Sequence, residues 1–194
     1  MGRVRPPHDG ESLGEYLTAH GITHFSEREV RTARRANVIG LPPRVLWRNI
    51  IVPCRLGEAL RRLAGCPLVV GNGYRDAEVN ATVGGAPRSR HVAFAALDLD
   101  VPRSRRPALS AGHYNRLAAR VWLEHAEDLD IGLGLYTSGH RIHIDHRPGR
   151  GPAYWSRPLV EPVFADVLGC SRAALRRMSR RQMSRQYRRH EGPA

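Results

Sequence analysis

Lysine is absent from the 194 residues, so all 31 basic side chains are arginine. A bias that runs through the whole chain points to genome composition more than to selection for guanidinium chemistry. Cysteine is scarce. Cys54, Cys66 and Cys170 form an odd set without Cys-x-x-Cys spacing. That pattern supports neither a disulfide framework nor a thiolate zinc site, and the three read as small buried hydrophobes. No apolar run approaches the ~18 residues of a membrane-crossing helix. The opening Met1-Gly-Arg-Val-Arg-Pro-Pro-His8 has no apolar stretch behind its charges, so a Sec-type signal peptide is not expected. There is no internal repeat.

What is plentiful is positive charge. The net charge is +13, from 31 basic against 18 acidic residues. This favours polyanionic partners such as nucleic acid, anionic membrane or acidic cell-wall polymer, without choosing among them. The hydrophobic content, 41%, is enough for one compact core.

Helices come first along the chain. Residues 11–20 form a short one, stopped by Gly21. Ser26-Glu-Arg-Glu29 is a capping box that opens another, running to about Ala36. A third spans Pro53 to Ala64, with Leu56, Leu60 and Leu63 on one face and Gly65 at its end. Residues 67–71 then read as a buried strand, with Gly73-Tyr74-Arg75 at its end. Residues 80–90 read as a glycine-containing loop, and residues 92–100 as a strand buried on both faces. Ser110 caps a helix to His125, with Leu117, Val121 and Trp122 facing the core. Residues 131–136 and 141–146 make a hairpin of two strands. The order predicts an α+β fold: a small, mostly antiparallel sheet with helices packed on it. Residues 1–23 are a lead-in, 24–158 the main domain, and 159–194 a basic helical extension or tail. Eight arginines crowd positions 172–189; they read as a solvated helix or loose tail, or alternatively as a polyanion anchor.

The polar residues on the buried strands carry the chemistry. His143 and Asp145 are two apart, so on a strand they face one site together. His91 and Asp98 are seven apart and cannot share a face of one regular strand. One of them therefore sits in the approach loop, and the glycines before it make His91 the choice. Two histidines and one aspartate would give zinc three ligands with a fourth position open, the pattern of a catalytic rather than a structural site.

The stretches Asn72-Gly-Tyr-Arg75, Asn80 to His91 and on to Asp98, Gly132-Leu-Gly-Leu-Tyr136 and His143-Ile-Asp145 together resemble the zinc D-Ala-D-Ala carboxypeptidase family. Its kin include peptidoglycan endopeptidases of phage lysins and the hedgehog-type zinc fold. The resemblance covers roughly residues 24–156. It implies Zn2+ held by His91, Asp98 and His143, with Arg75 polarising the scissile carbonyl and Ser89 as a supporting hydrogen bond against the site. It leaves the general base open. Asp145 is preferred and His140 is the alternative, since no carboxylate precedes His143 closely. Two departures stand out: Phe94 replaces a usual glycine, and Asn72 a usual serine. The implied activity is hydrolysis of peptidoglycan stem peptides, as carboxypeptidase or endopeptidase. The alternative is a non-catalytic zinc-containing wall-binding module. A phage lysin or virion-associated enzyme is expected, monomeric, reaching the wall after holin-type release. It would be held there by its basic end on anionic wall polymer or membrane, with no specific nucleic acid partner.

Overall fold

The computed structural model describes residues 2–191; Met1 and residues 192–194, the outermost parts of the lead-in and the tail, lie outside the described residues. In chain order the elements are α1 (Leu13–Ala19), α2 (Glu27–Arg31), β1 (Thr32–Ala33), β2 (Val38–Ile39), α3 (Trp47–Ala64), β3 (Val69–Asn72), α4 (Ala77–Thr82), β4 (Ala96–Asp100), α5 (Ala111–His125), β5 (Ile131–Leu135), β6 (Arg141–His146), β7 (Ala153–Trp155), α6 (Arg157–Val167), α7 (Arg172–Arg177) and α8 (Arg180–Glu191). The strands form one sheet in the order β2-β1-β3-β4-β6-β5-β7. All pairs are antiparallel except β5 with β7. This is the α+β, mostly antiparallel architecture that the element order predicts.

Alternation along the central strands separates two faces. Leu97, Leu99, Leu133, Ile142 and Ile144 are buried in the core, where α3 and α5 pack on β4, β5 and β6. The intervening residues face the other way and carry the polar groups. No helix among the described residues is long and apolar enough to cross a membrane.

Several boundaries differ from the sequence expectation, each for a tertiary reason. The Ser26 capping box forms, with Glu29 N–H on the Ser26 hydroxyl. Its helix nonetheless ends at Arg31, because Thr32 and Ala33 join the sheet beside β3. The third helix starts at Trp47, with Pro53 inside it. An interior proline costs about 3 kcal/mol. Trp47, Ile50, Ile51 and Cys54, all buried on this helix, offset it at about 1.5–3 kcal/mol for each large side chain. Residues 77–82 are helical, capped by the Asp76 carboxylate on Val79 N–H, where a continuous loop from Asn80 is expected.

The basic end is packed on the rest of the chain. Leu175, Met183 and Tyr187 join the hydrophobic core, and α8 lies against α5. Arg176 pairs with Glu161, Arg181 with Asp130, Arg185 with Glu127 and Arg188 with Asp128. Arg180 stacks over Tyr154. Five of the eight arginines therefore have an internal partner, which makes this segment part of the folded body.

Candidate metal centre

The sheet register lines up one row of residues across five strands. Asn72 pairs with Asp98, Asp98 with His143, His143 with Gly134 and Gly134 with Trp155. Asp98 and His143 thus share the open face of adjacent strands, with Asn72 on one side and Trp155 on the other. Of the oddly spaced pair it is His91 that comes from the turn before β4, the choice the glycine-containing approach favours. Ser89 accepts a hydrogen bond from His91 N–H at 3.4 Å, and the Arg75 N–H donates to the His91 carbonyl. The strand that begins at Ala96 is shorter than expected, because residues 91–94 are spent on the turn that delivers the ligand.

His91, Asp98 and His143 converge, each less than a tenth exposed. His143 Nδ1 lies 2.9 Å from Asp98 Oδ1, His91 Nε2 lies 3.2 Å from His143 Nδ1, and His91 Nε2 lies 3.5 Å from Asp98 Oδ1. Tetrahedral zinc with ligand bonds of about 2.0–2.2 Å separates its donors by about 3.3–3.5 Å. The sides at 3.2 and 3.5 Å are close to that spacing, and the side at 2.9 Å has to open by a few tenths of an ångström to admit the ion.

The outer hydrogen bonds fix which nitrogen is free. His91 Nδ1 donates to the Gly73 carbonyl at 2.7 Å, leaving Nε2 to face the cluster. His143 Nε2 lies 3.3 Å from Asp145 Oδ2, leaving Nδ1. Asp145 is in turn gripped by Arg147, with Nε on Oδ1 at 2.8 Å and Nη2 on Oδ2 at 2.7 Å. This carboxylate–histidine arrangement orients metal ligands and raises their basicity. Asn72 Nδ2 donates to Asp98 Oδ2 at 2.8 Å, and Tyr136 O–H to Asp98 Oδ1 at 3.2 Å.

The electrostatics follow from these contacts. Burial disfavours the Asp98 carboxylate, but hydrogen bonds from His143 and His91 outweigh it and hold its pKa well below the usual range. Burial pushes His91 down. Burial also acts to lower His143, yet its hydrogen bonds to Asp145 and Asp98 prevail and raise it to about 9. Burial, and then Asp98, push the Tyr136 phenol up, so it stays a donor. Burial lowers the Arg75 guanidinium and the Asp98 charge opposes that; its Nε is buried without a hydrogen-bond partner among the described residues.

The expected residues therefore divide. His91, Asp98 and His143 are brought together, Arg75 lies near Asp98, and Ser89 supports the turn. His140 is placed elsewhere: its ring takes the Leu109 carbonyl at 3.2 Å. Asp145 sits beside His143 with both oxygens occupied by Arg147, a geometry suited to orienting a ligand rather than to receiving a proton. Phe94 does not enter the site. It adopts φ +51° and is fully buried, edge-on to Tyr74 at 5.6 Å. The positive φ explains the glycine usual at this position.

Tyr136, Trp155 and Arg147 went unread as site residues. Arg147 had a signal, since His143, Asp145 and Arg147 alternate along one strand direction. Trp155 depends on Gly134, where an added Cβ would come within 2.3 Å of the indole. That closeness places the ring against His143, with centroids 4.8 Å apart.

Two histidines and a carboxylate are the protein donor set of a catalytic zinc centre. The sequence profile of Peptidase M15 matches residues 15–145, and the chain belongs to that family of zinc-dependent, D-Ala-D-Ala carboxypeptidase-like enzymes. No curated protein and no solved structure gives a match.

Proposed function

We propose that this chain is a zinc metallopeptidase that hydrolyses peptide bonds in peptidoglycan stem peptides, at a terminal D-Ala-D-Ala or at an internal bond beside a D-residue. The observation that carries the reading is the donor triangle of His91, Asp98 and His143 with Arg75 beside it. His91 Nε2, His143 Nδ1 and Asp98 Oδ1 would hold the ion. When bound, zinc supplies an acidified water and a Lewis acid for the carbonyl.

The chain's own groups supply the rest. Gly73 and Asp145 keep the two imidazoles in the tautomers that bind metal. Arg75, with Nε buried and unpaired, offers a fixed cation to charge that develops only in the transition state. Asp145 acts as a positioning residue through His143. A non-catalytic module would have no need of a guanidinium whose buried Nε is left without a hydrogen-bond partner. The remaining exposed arginines, among them Arg172, Arg177 and Arg189 of the last two helices, would hold the protein on anionic wall polymer.

Incubating the zinc-loaded protein with defined muropeptides and weighing the fragments by mass spectrometry tests this reading. Loss of one D-alanine or scission within the stem is expected. Intact muropeptides at stoichiometric zinc would remove it.

A further inference from the structure

Among the described residues, the hydroxyl that donates to a side chain of the donor triangle belongs to Tyr136, the residue after β5. It shares its strand parity with Gly132 and Gly134, which lie opposite Asp145 and His143. Its O–H donates to Asp98 Oδ1, the oxygen that also faces His143 Nδ1 and His91 Nε2. The triangle itself is buried, whereas Tyr136 is 40% exposed. The ring thus stands where the buried cluster opens to solvent. Arg75 is close enough to both Asp98 and Tyr136 for each to feel its charge.

Holding Asp98 in place does not require this residue. Asp98 sits in a central strand between β3 and β6, and Asn72 already fixes its second oxygen at 2.8 Å. Nor is Tyr136 there for packing, because a core aromatic buries its ring. A phenol rotates its proton freely and carries no charge. It can therefore leave Asp98 for a substrate oxygen at little cost.

We propose that Tyr136 is a catalytic residue, donating a hydrogen bond, together with Arg75, to the oxygen of the scissile carbonyl as that oxygen becomes negative. The role rests on the peptidase reading above. In the hydrolysis, water oxygen bonds to the carbonyl carbon, the C–N bond breaks, and a proton from water ends on the leaving amine. Tyr136 keeps its own proton throughout. The acceptor is a peptide carbonyl, so the substrate needs no special group at this position.

The test is Tyr136→Phe in the zinc-loaded full chain, with three readouts: zinc affinity by chelator competition, kcat/KM on a defined stem peptide, and the Kd of a phosphinate analogue of that peptide at saturating zinc. Removing an oxyanion donor lowers turnover about 10²–10³-fold. The expected result is that loss, a comparable weakening of the phosphinate, and zinc affinity within about twofold of wild type. If zinc affinity instead falls about 10–100-fold, as for a group that only orients a ligand, and saturating zinc restores both other readouts, the role is overturned. Three unchanged readouts overturn it as well. Failure of the peptidase reading looks different: the wild-type holoprotein itself would neither cleave the peptide nor bind the phosphinate.

Discussion

Phe94 offers the sharpest energetic test, because its backbone and its side chain pull in opposite directions. Its φ of +51° is a left-handed conformation, which costs a non-glycine residue about 1–2 kcal/mol. Its ring is fully buried against Tyr74, and deleting such a ring costs about 3–5 kcal/mol. Phe94→Ala loses the ring and keeps the strain, so it should lose that full 3–5 kcal/mol. Phe94→Gly loses the ring and relieves the strain, but glycine's greater freedom in the unfolded chain returns about 0.5–1 kcal/mol of the gain. The glycine variant should therefore be the more stable of the two by up to about 1.5 kcal/mol, and both should fall well below wild type. A chain of this size shifts about 2–4 °C per kcal/mol, so thermal unfolding resolves the order. With the ring in the core, zinc affinity and KM should stay near wild type in both variants. A glycine variant as stable as wild type with an altered KM would show that the ring lines the pocket, and would refute this account.

Three further outcomes follow from the same geometry. Asp145→Asn should weaken zinc about 10–100-fold by loosening His143, yet keep most of its turnover at saturating zinc; a 10²–10⁴-fold loss there would make Asp145 the general base. His140→Ala should leave zinc affinity and kcat/KM within about twofold, since its ring is committed to Leu109; a large loss in kcat/KM would reinstate it in the site. In the metal-free protein, His143 is raised to about 9, so at neutral pH zinc must displace its proton. Affinity should then fall as pH falls, by about tenfold per unit where one proton is released. Calorimetry in two buffers of different ionisation enthalpy reads that proton, and a buffer-independent heat would contradict it.

The parts of the site that obey strand periodicity were legible in advance. His143 and Asp145 had to share a face, the seven-residue gap put one of His91 and Asp98 off the strand, and the glycines of the approach pointed to His91. The hairpin of β5 and β6 and the Ser110-capped α5 were readable for the same reason: a period and its end signals lie within one segment. What escaped depends on partners distant in sequence. The role of Asp145 is decided by Arg147, whose grip appears only once β6 is folded. Trp155 reaches His143 because β7 adds beside β5 in parallel, a pairing that no local pattern announces. The helix from Trp47 overrides its proline because buried side chains, among them Trp47, Ile50, Ile51 and Cys54, lie along it. The arginines of α8 looked solvated because their acidic partners at positions 127–130 sit about fifty residues earlier.

X-ray absorption at the zinc edge, on protein loaded with one equivalent, reads the ligand shell of His91, Asp98 and His143 itself. The expected spectrum is that of a four-coordinate ion with only nitrogen and oxygen neighbours at about 2.0–2.2 Å, two of them imidazole, with one imidazole lost in His143→Ala. A sulfur neighbour at about 2.3 Å, or a spectrum unchanged in His143→Ala, would contradict it.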